Sequence, residues 1–175
     1  MLRCKQKIFF IALLSGLFFF SEFSHSSKLE ENAPSQKINN DQIQDAVETI
    51  AHNYLINVKP IFKQACFDCH TSLTNYPWYY NLPMIKTKID KDIAEAREHL
   101  DFSNDYPFMS KGRLTEDLEK IAENLEEKSM PPLPYAVLHR TKSINNDQKA
   151  KIFSWVDDSL KLLTNAGYLA SNTTP

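Results

Sequence analysis

Glycine is scarce in this chain, with three residues in 175, and most of the nine prolines fall between the stretches of helical pattern. That balance suits helices joined by stiff connections. Period-two alternation of strand type and internal repeats are both lacking. Charge of one sign is lacking too: the formal net charge is -2, which gives no argument for a nucleic-acid partner or an anionic membrane surface. The longest apolar run, Ile8 to Phe20, is 13 residues, short of the roughly 20 that a membrane span needs. Cysteine is equally sparse. Cys4 lies in a segment that reads as a targeting signal, which leaves Cys66 and Cys69. A tetrahedral zinc site built on that pair needs two further ligands, and His52, His70, His99 and His139 show no paired H-x3-5-H spacing.

What the chain does have is Cys66-Phe67-Asp68-Cys69-His70. C-x-x-C alone fits a thiol redox pair, half a zinc site or a disulfide; the histidine that follows points to covalent haem attachment. The two-residue gap lets both sulfurs reach one porphyrin edge and add across its vinyl groups. His70 then sits under the iron and can ligate it through a ring nitrogen.

Arg3, Lys5 and Lys7 precede the apolar run, and Ser24-His25-Ser26 gives small-x-small spacing after it. Residues 1–26 therefore read as a signal peptide, with an uncleaved inner-membrane anchor as the alternative, the one route to a membrane. Residues 27–40 read as a polar, flexible leader. Residues 41–175 have the size of one domain with one core. A periplasmic or exported location fits the motif, because haem is joined to reduced thiols on the far side of a bacterial inner membrane.

The domain reads as all-α. Asn40 or Asp41 caps a first helix buried through Ile43, Val47, Ile50, Tyr54, Leu55 and Val58, and Pro60 opens a second that delivers the motif. A third runs from Pro83 to about Leu100, with Ile85, Ile89, Ile93 and Ala96 inward. A fourth is capped by Thr115 and buries Leu118, Ile121, Ala122 and Leu125, and Glu116 and Asp117 suit its dipole. The stretch Met130–Pro134 is non-helical. A last helix from Asn146 or Asp147 buries Ile152, Phe153, Val156, Leu160 and Leu163, with Trp155 on a flank.

A haem held by one histidine leaves a sixth iron position. Methionine there raises the potential and favours electron transfer, whereas an open position favours peroxide or diatomic gases. Met130 is the favoured distal ligand, because two prolines after it make a stiff segment that holds a thioether at low entropic cost. His139 is the alternative distal ligand, or a partner for a propionate. Met84 and Met109 read as packing residues, His99 as a helix-end cap and His52 as solvated. Trp78 and Tyr135 are assigned to the haem pocket, with Phe62, Tyr80 and Phe102 beside them. Lys59, Lys63, Lys86, Lys88 and Lys91 read as a solvated face, or as a rim for an acidic redox partner.

The run Cys66–Tyr79, with its Thr-x-x-Pro-Trp-Tyr segment, resembles the bacterial haem-binding domain family, a cytochrome c-like group. The likeness continues at Asp92-Ile93, Arg97, Asp101-Phe102-Ser103, Met130-Pro131-Pro132, Tyr135, His139 and Trp155. The resemblance implies an exported, mainly helical protein around one covalent haem c. It implies Cys66 and Cys69 as thioether sites, His70 as the proximal ligand and Met130 as the distal one. The expectation is a small single-domain c-type cytochrome fold that passes one electron to a redox partner protein. A haem enzyme or gas sensor with an open sixth site is the alternative, and the electron carrier is preferred to an enzyme.

Overall fold

The apolar positions Ala46, Ile50, Tyr54, Val58, Ile61, Phe62 and Ala65 repeat at helical intervals. In the computed structural model, which describes residues 40–171, they line one face of a single uninterrupted helical rod. Pro60 does not break it. The rod is α1 (Asn40–Asn53), a π-helical turn (Tyr54–Val58) and α2 (Lys59–Ala65) in succession. In the wide turn the Lys59 N–H donates five residues back, to the Tyr54 carbonyl. The extra residue makes room for a proline ring that would otherwise meet the preceding turn, and this is why two helices expected from Pro60 are one.

The rod packs on α7 (Asn146–Asn165), which packs in turn on α5 (Leu114–Glu126). Helix α7 starts at a reciprocal cap: the Gln148 N–H donates to the Asn145 side chain at 2.8 Å, and the Gln148 amide oxygen accepts from the Asn145 N–H at 3.0 Å. Helix α5 is capped at Arg113, not at Thr115, which is buried inside the first turn. The Glu116 carboxylate accepts the Arg113 N–H at 3.0 Å instead. At the far end of α7, Gly167 takes φ +80, the left-handed value that favours glycine, and leads into α8 (Tyr168–Ser171).

Between these helices lies an aromatic cluster of Tyr54, Phe62, Phe102, Tyr106, Phe108 and Trp155, with edge-to-face contacts such as Tyr54–Phe108 at 5.1 Å. Trp155 is at its centre, 5% exposed, rather than on a flank, and its Nε1–H donates to the Ile50 carbonyl. Three of the six rings come from the segment after the short strand β1 (Leu100–Asp101), which pairs antiparallel with β2 (Met109–Ser110). This two-residue pair is too short to leave an alternation in sequence. The domain is otherwise helical, as expected for a small cytochrome c-like haem domain.

The remaining elements serve the motif. Helix α3 (Phe67–His70) follows Cys66 directly. Helix α4 (Ile85–His99) carries Lys86–Asp90, Lys88–Asp92 and Lys91–Glu95 pairs on its outer side. Helix α6 (Leu133–Leu138) begins one residue after Pro132 and admits Pro134 in its first turn, where no N–H is needed. Met109 and Met84, expected to pack, are 44% and 86% exposed. The signal peptide assigned to 1–26 and the leader assigned to 27–40 lie outside the described residues, except Asn40, which is the first residue of α1.

Candidate functional site

Cys66 sits where α2 turns into α3. Its carbonyl accepts both the Cys69 N–H (3.1 Å) and the His70 N–H (3.0 Å), which winds the motif into one tight turn. The Thr71 hydroxyl ends the turn by donating to the Phe67 carbonyl at 2.7 Å. Both cysteines are unpaired thiols. Burial, with the neighbouring Cys69 sulfur, pushes the Cys66 thiol up to about 12, and burial also raises Cys69. Reactive thiol pairs are set up the opposite way, with a depressed pKa.

His70 is held by β1. Its Nδ1 lies 2.8 Å from the Leu100 carbonyl. A carbonyl only accepts, so Nδ1 carries the proton and Nε2 keeps a free lone pair. Burial lowers the pKa of His70 despite that hydrogen bond, which favours the neutral, ligating form. The Phe102 N–H donates to the His70 carbonyl at 2.7 Å, so the strand grips both ends of the residue. Asp101 anchors the strand in turn. Its buried carboxylate accepts from Arg97 Nε (2.8 Å), from the Ser103 N–H (2.8 Å) and from the Ser103 hydroxyl, and the Ser72 N–H donates to that same hydroxyl oxygen at 2.9 Å.

Two adjoining cavities, about 330 and 390 Å³, open beside the motif. Both are lined by Cys66 and His70 on one side and by Leu125, Met130 and Ile144 on another, with Ala96 and His99 from α4. Cys69 and Tyr135 line the second cavity. A third, of about 260 Å³, runs on past Cys69 between Ile85, Ile89 and Ile93 of α4 and Tyr135 and Leu138 of α6. The predicted apolar stripe of α4 exists, but no residue of that helix is buried, because its apolar face lines these cavities. A flat apolar group held through the two thiols and the His70 ring would fit this space. The thiols, a lone pair on Nε2 and a thioether lie around one largely apolar volume, so the residues present fit a haem.

Helix α6 is tied to the motif from outside. The Tyr135 hydroxyl donates to Asp68 Oδ2 at 2.5 Å, and Lys142 Nζ pairs with the same oxygen at 3.0 Å. Burial, then this bond to an anion, keeps the Tyr135 pKa well above that of a free phenol. His139 stacks on Tyr135 at 4.4 Å, and its Nε2 is 2.8 Å from the Tyr79 hydroxyl.

The structure thus brings Cys66, Cys69, His70, Met130 and Tyr135 together. It does not bring His139 or Trp78 to these cavities: His139 bonds Tyr79, and Trp78 is 89% exposed with its ring against Tyr79 at 5.5 Å. Sequence reasoning missed the Leu100 carbonyl, which no side-chain pattern marks. It also missed Asp117, read as a dipole partner but 2% exposed on the cavity wall.

Comparison with known proteins fits this geometry. A family model described as a haem-binding domain matches residues 29–158. Cytochrome c peroxidase Ccp of Escherichia coli (strain K12) is 29% identical over 114 residues, which is 64% of this chain but only 23% of that protein. No solved structure matches the chain.

Proposed function

Because the chain belongs to the haem-binding domain family, we propose that it is an exported monohaem c-type cytochrome that carries one electron at a time. When bound, the haem supplies a reversible ferric–ferrous couple. Everything else falls to the chain. Cys66 and Cys69 hold the group as thioethers. His70 ligates through Nε2, with Leu100 fixing the ring and its tautomer. Met130, on the cavity wall, would supply a thioether ligand, and such a ligand would favour the ferrous state. Phe62, Phe102, Ile121 and Leu125 keep water from the cavity walls, which also raises the potential. Tyr135, through Asp68, holds the proline-rich segment against the motif. Export follows from the amino-terminal pattern, and the partner is a redox protein.

The observation that carries this reading is the convergence of both free thiols, a His70 ring pinned through Nδ1, and Met130 on one apolar space. A peroxide-reducing or gas-binding role is the second reading, supported by the name of the relative; the chain spans less than a quarter of that protein. Optical spectra of the exported protein separate the two. Electron transfer predicts a six-coordinate low-spin haem with the weak long-wavelength ferric band of methionine ligation. Rapid binding of carbon monoxide by the ferrous protein would support the second reading instead.

A further inference from the structure

Asp117 stands in the first turn of α5 with its side chain at the cavity wall, 2% exposed, in the space that His70 and Met130 also line. Its Oδ2 accepts the Ser110 hydroxyl at 2.6 Å. Its Oδ1 is buried and has no hydrogen-bond partner among the described residues. The chain makes room for that second oxygen: a Cβ on Gly112 would come within 2.9 Å of it. A residue needed only to anchor Ser110 would need one acceptor, and an idle buried carboxylate oxygen is costly. The groups facing Asp117 are Glu116 and Lys120 on its own helix, Tyr106 before β2, and Tyr168 near the start of α5. His70 and His99 line the same cavity. Only Lys120 among these brings a permanent positive charge, and it is exposed to solvent, so protons can reach the cavity beside it.

We infer that Asp117 is a proton site coupled to the redox change in this cavity: when the metal centre gains an electron, the Asp117 carboxylate binds a proton. The inference rests on the electron-carrier reading above. The step balances as one electron from the donor to ferric iron and one proton from solvent to the carboxylate, giving ferrous iron and a neutral carboxylic acid. Added negative charge in a low-dielectric space makes the carboxylate a stronger base, and the resulting acid compensates that charge. Burial already holds the Asp117 carboxyl above its ordinary value, against the pull of Ser110 and Lys120, which moves the linked window toward neutral pH.

The test is a mediated spectroelectrochemical titration of the haem-loaded full chain between pH 4 and 9. The wild type should show a midpoint potential that falls as pH rises through one window and is flat on either side. The limiting slope is about 59 mV per tenfold change in proton activity for one electron and one proton. Asp117→Asn should be flat across that window, and Glu119→Gln, an exposed change on the same helix, should behave as wild type. Reduced-minus-oxidised infrared spectra of the wild type need no variant; they should gain a protonated carboxyl band that Asp117→Glu shifts. A reversible couple whose slope is absent in the wild type, or unchanged in Asp117→Asn, overturns this inference alone. Failure to find any reversible one-electron couple overturns the electron-carrier reading and this inference with it.

Discussion

Asp101→Ala should loosen the haem motif from a distance, because Asp101 holds the strand that holds His70. Its carboxylate is 5% exposed and accepts three hydrogen bonds, two from Ser103 and one from Arg97. Bonds to a charged acceptor contribute about 1.5–3 kcal/mol each. The Arg97 side chain is 39% exposed, so its arm is taken at about 1 kcal/mol or less. After the cost of desolvating the carboxylate, roughly 2–4 kcal/mol remains to be lost. For a domain of this size that is a fall in Tm of about 10 °C. The acid dependence has a definite sign. Burial raises the Asp101 carboxyl, but the Ser103 and Arg97 donors outweigh it and hold it below its ordinary 3.8. The stabilisation is therefore fully present above 3.8 and is lost as pH falls through the lower folded-state value. Melts followed by helical circular dichroism at pH 7 and pH 3 read both effects. The variant should melt well below wild type at pH 7, and the gap should narrow at pH 3. A variant within 2 °C of wild type at pH 7, or a gap unchanged at pH 3, would refute the role given to this carboxylate.

Met130→Ala should abolish the long-wavelength ferric band while leaving haem attached; survival of that band in the variant's absorption spectrum would reject Met130 as the ligand. Cys69→Ala should leave one vinyl group in conjugation, so the ferrous pyridine adduct should absorb at longer wavelength than the wild-type adduct. Trp155→Phe removes the Nε1–H that donates to the Ile50 carbonyl within the aromatic cluster and should cost about 0.5–1.5 kcal/mol. Urea unfolding with an unchanged slope checks that value.

The attachment motif was legible because its chemistry is written in contiguous spacing. Helices α4, α5 and α7 were legible from their periodicity, although the burial of α4 was not, since its apolar face lines the cavities instead of packing on another helix. Pro60 misled because its local preference is to end a helix, and the fold widens one turn to keep it. Trp155 was read on a flank but lies at the centre of the core, and Asp117 does stand in the first turn of α5 but is buried as well, because tertiary packing rather than helical pattern decides both. The carbonyl of Leu100 leaves no side-chain signature at all. His139 and Trp78 match family positions, but the tertiary path sets them against Tyr79, a wall residue of the third cavity, and neither lines the cavities itself.

Intact-mass measurement of the mature exported chain, expressed with competent haem-attachment machinery, tests the central claim most directly. One covalently added haem should survive denaturation, with the adduct mapped to the peptide containing Cys66 and Cys69. A polypeptide of unmodified mass, its two thiols free or joined as a disulfide, would contradict it.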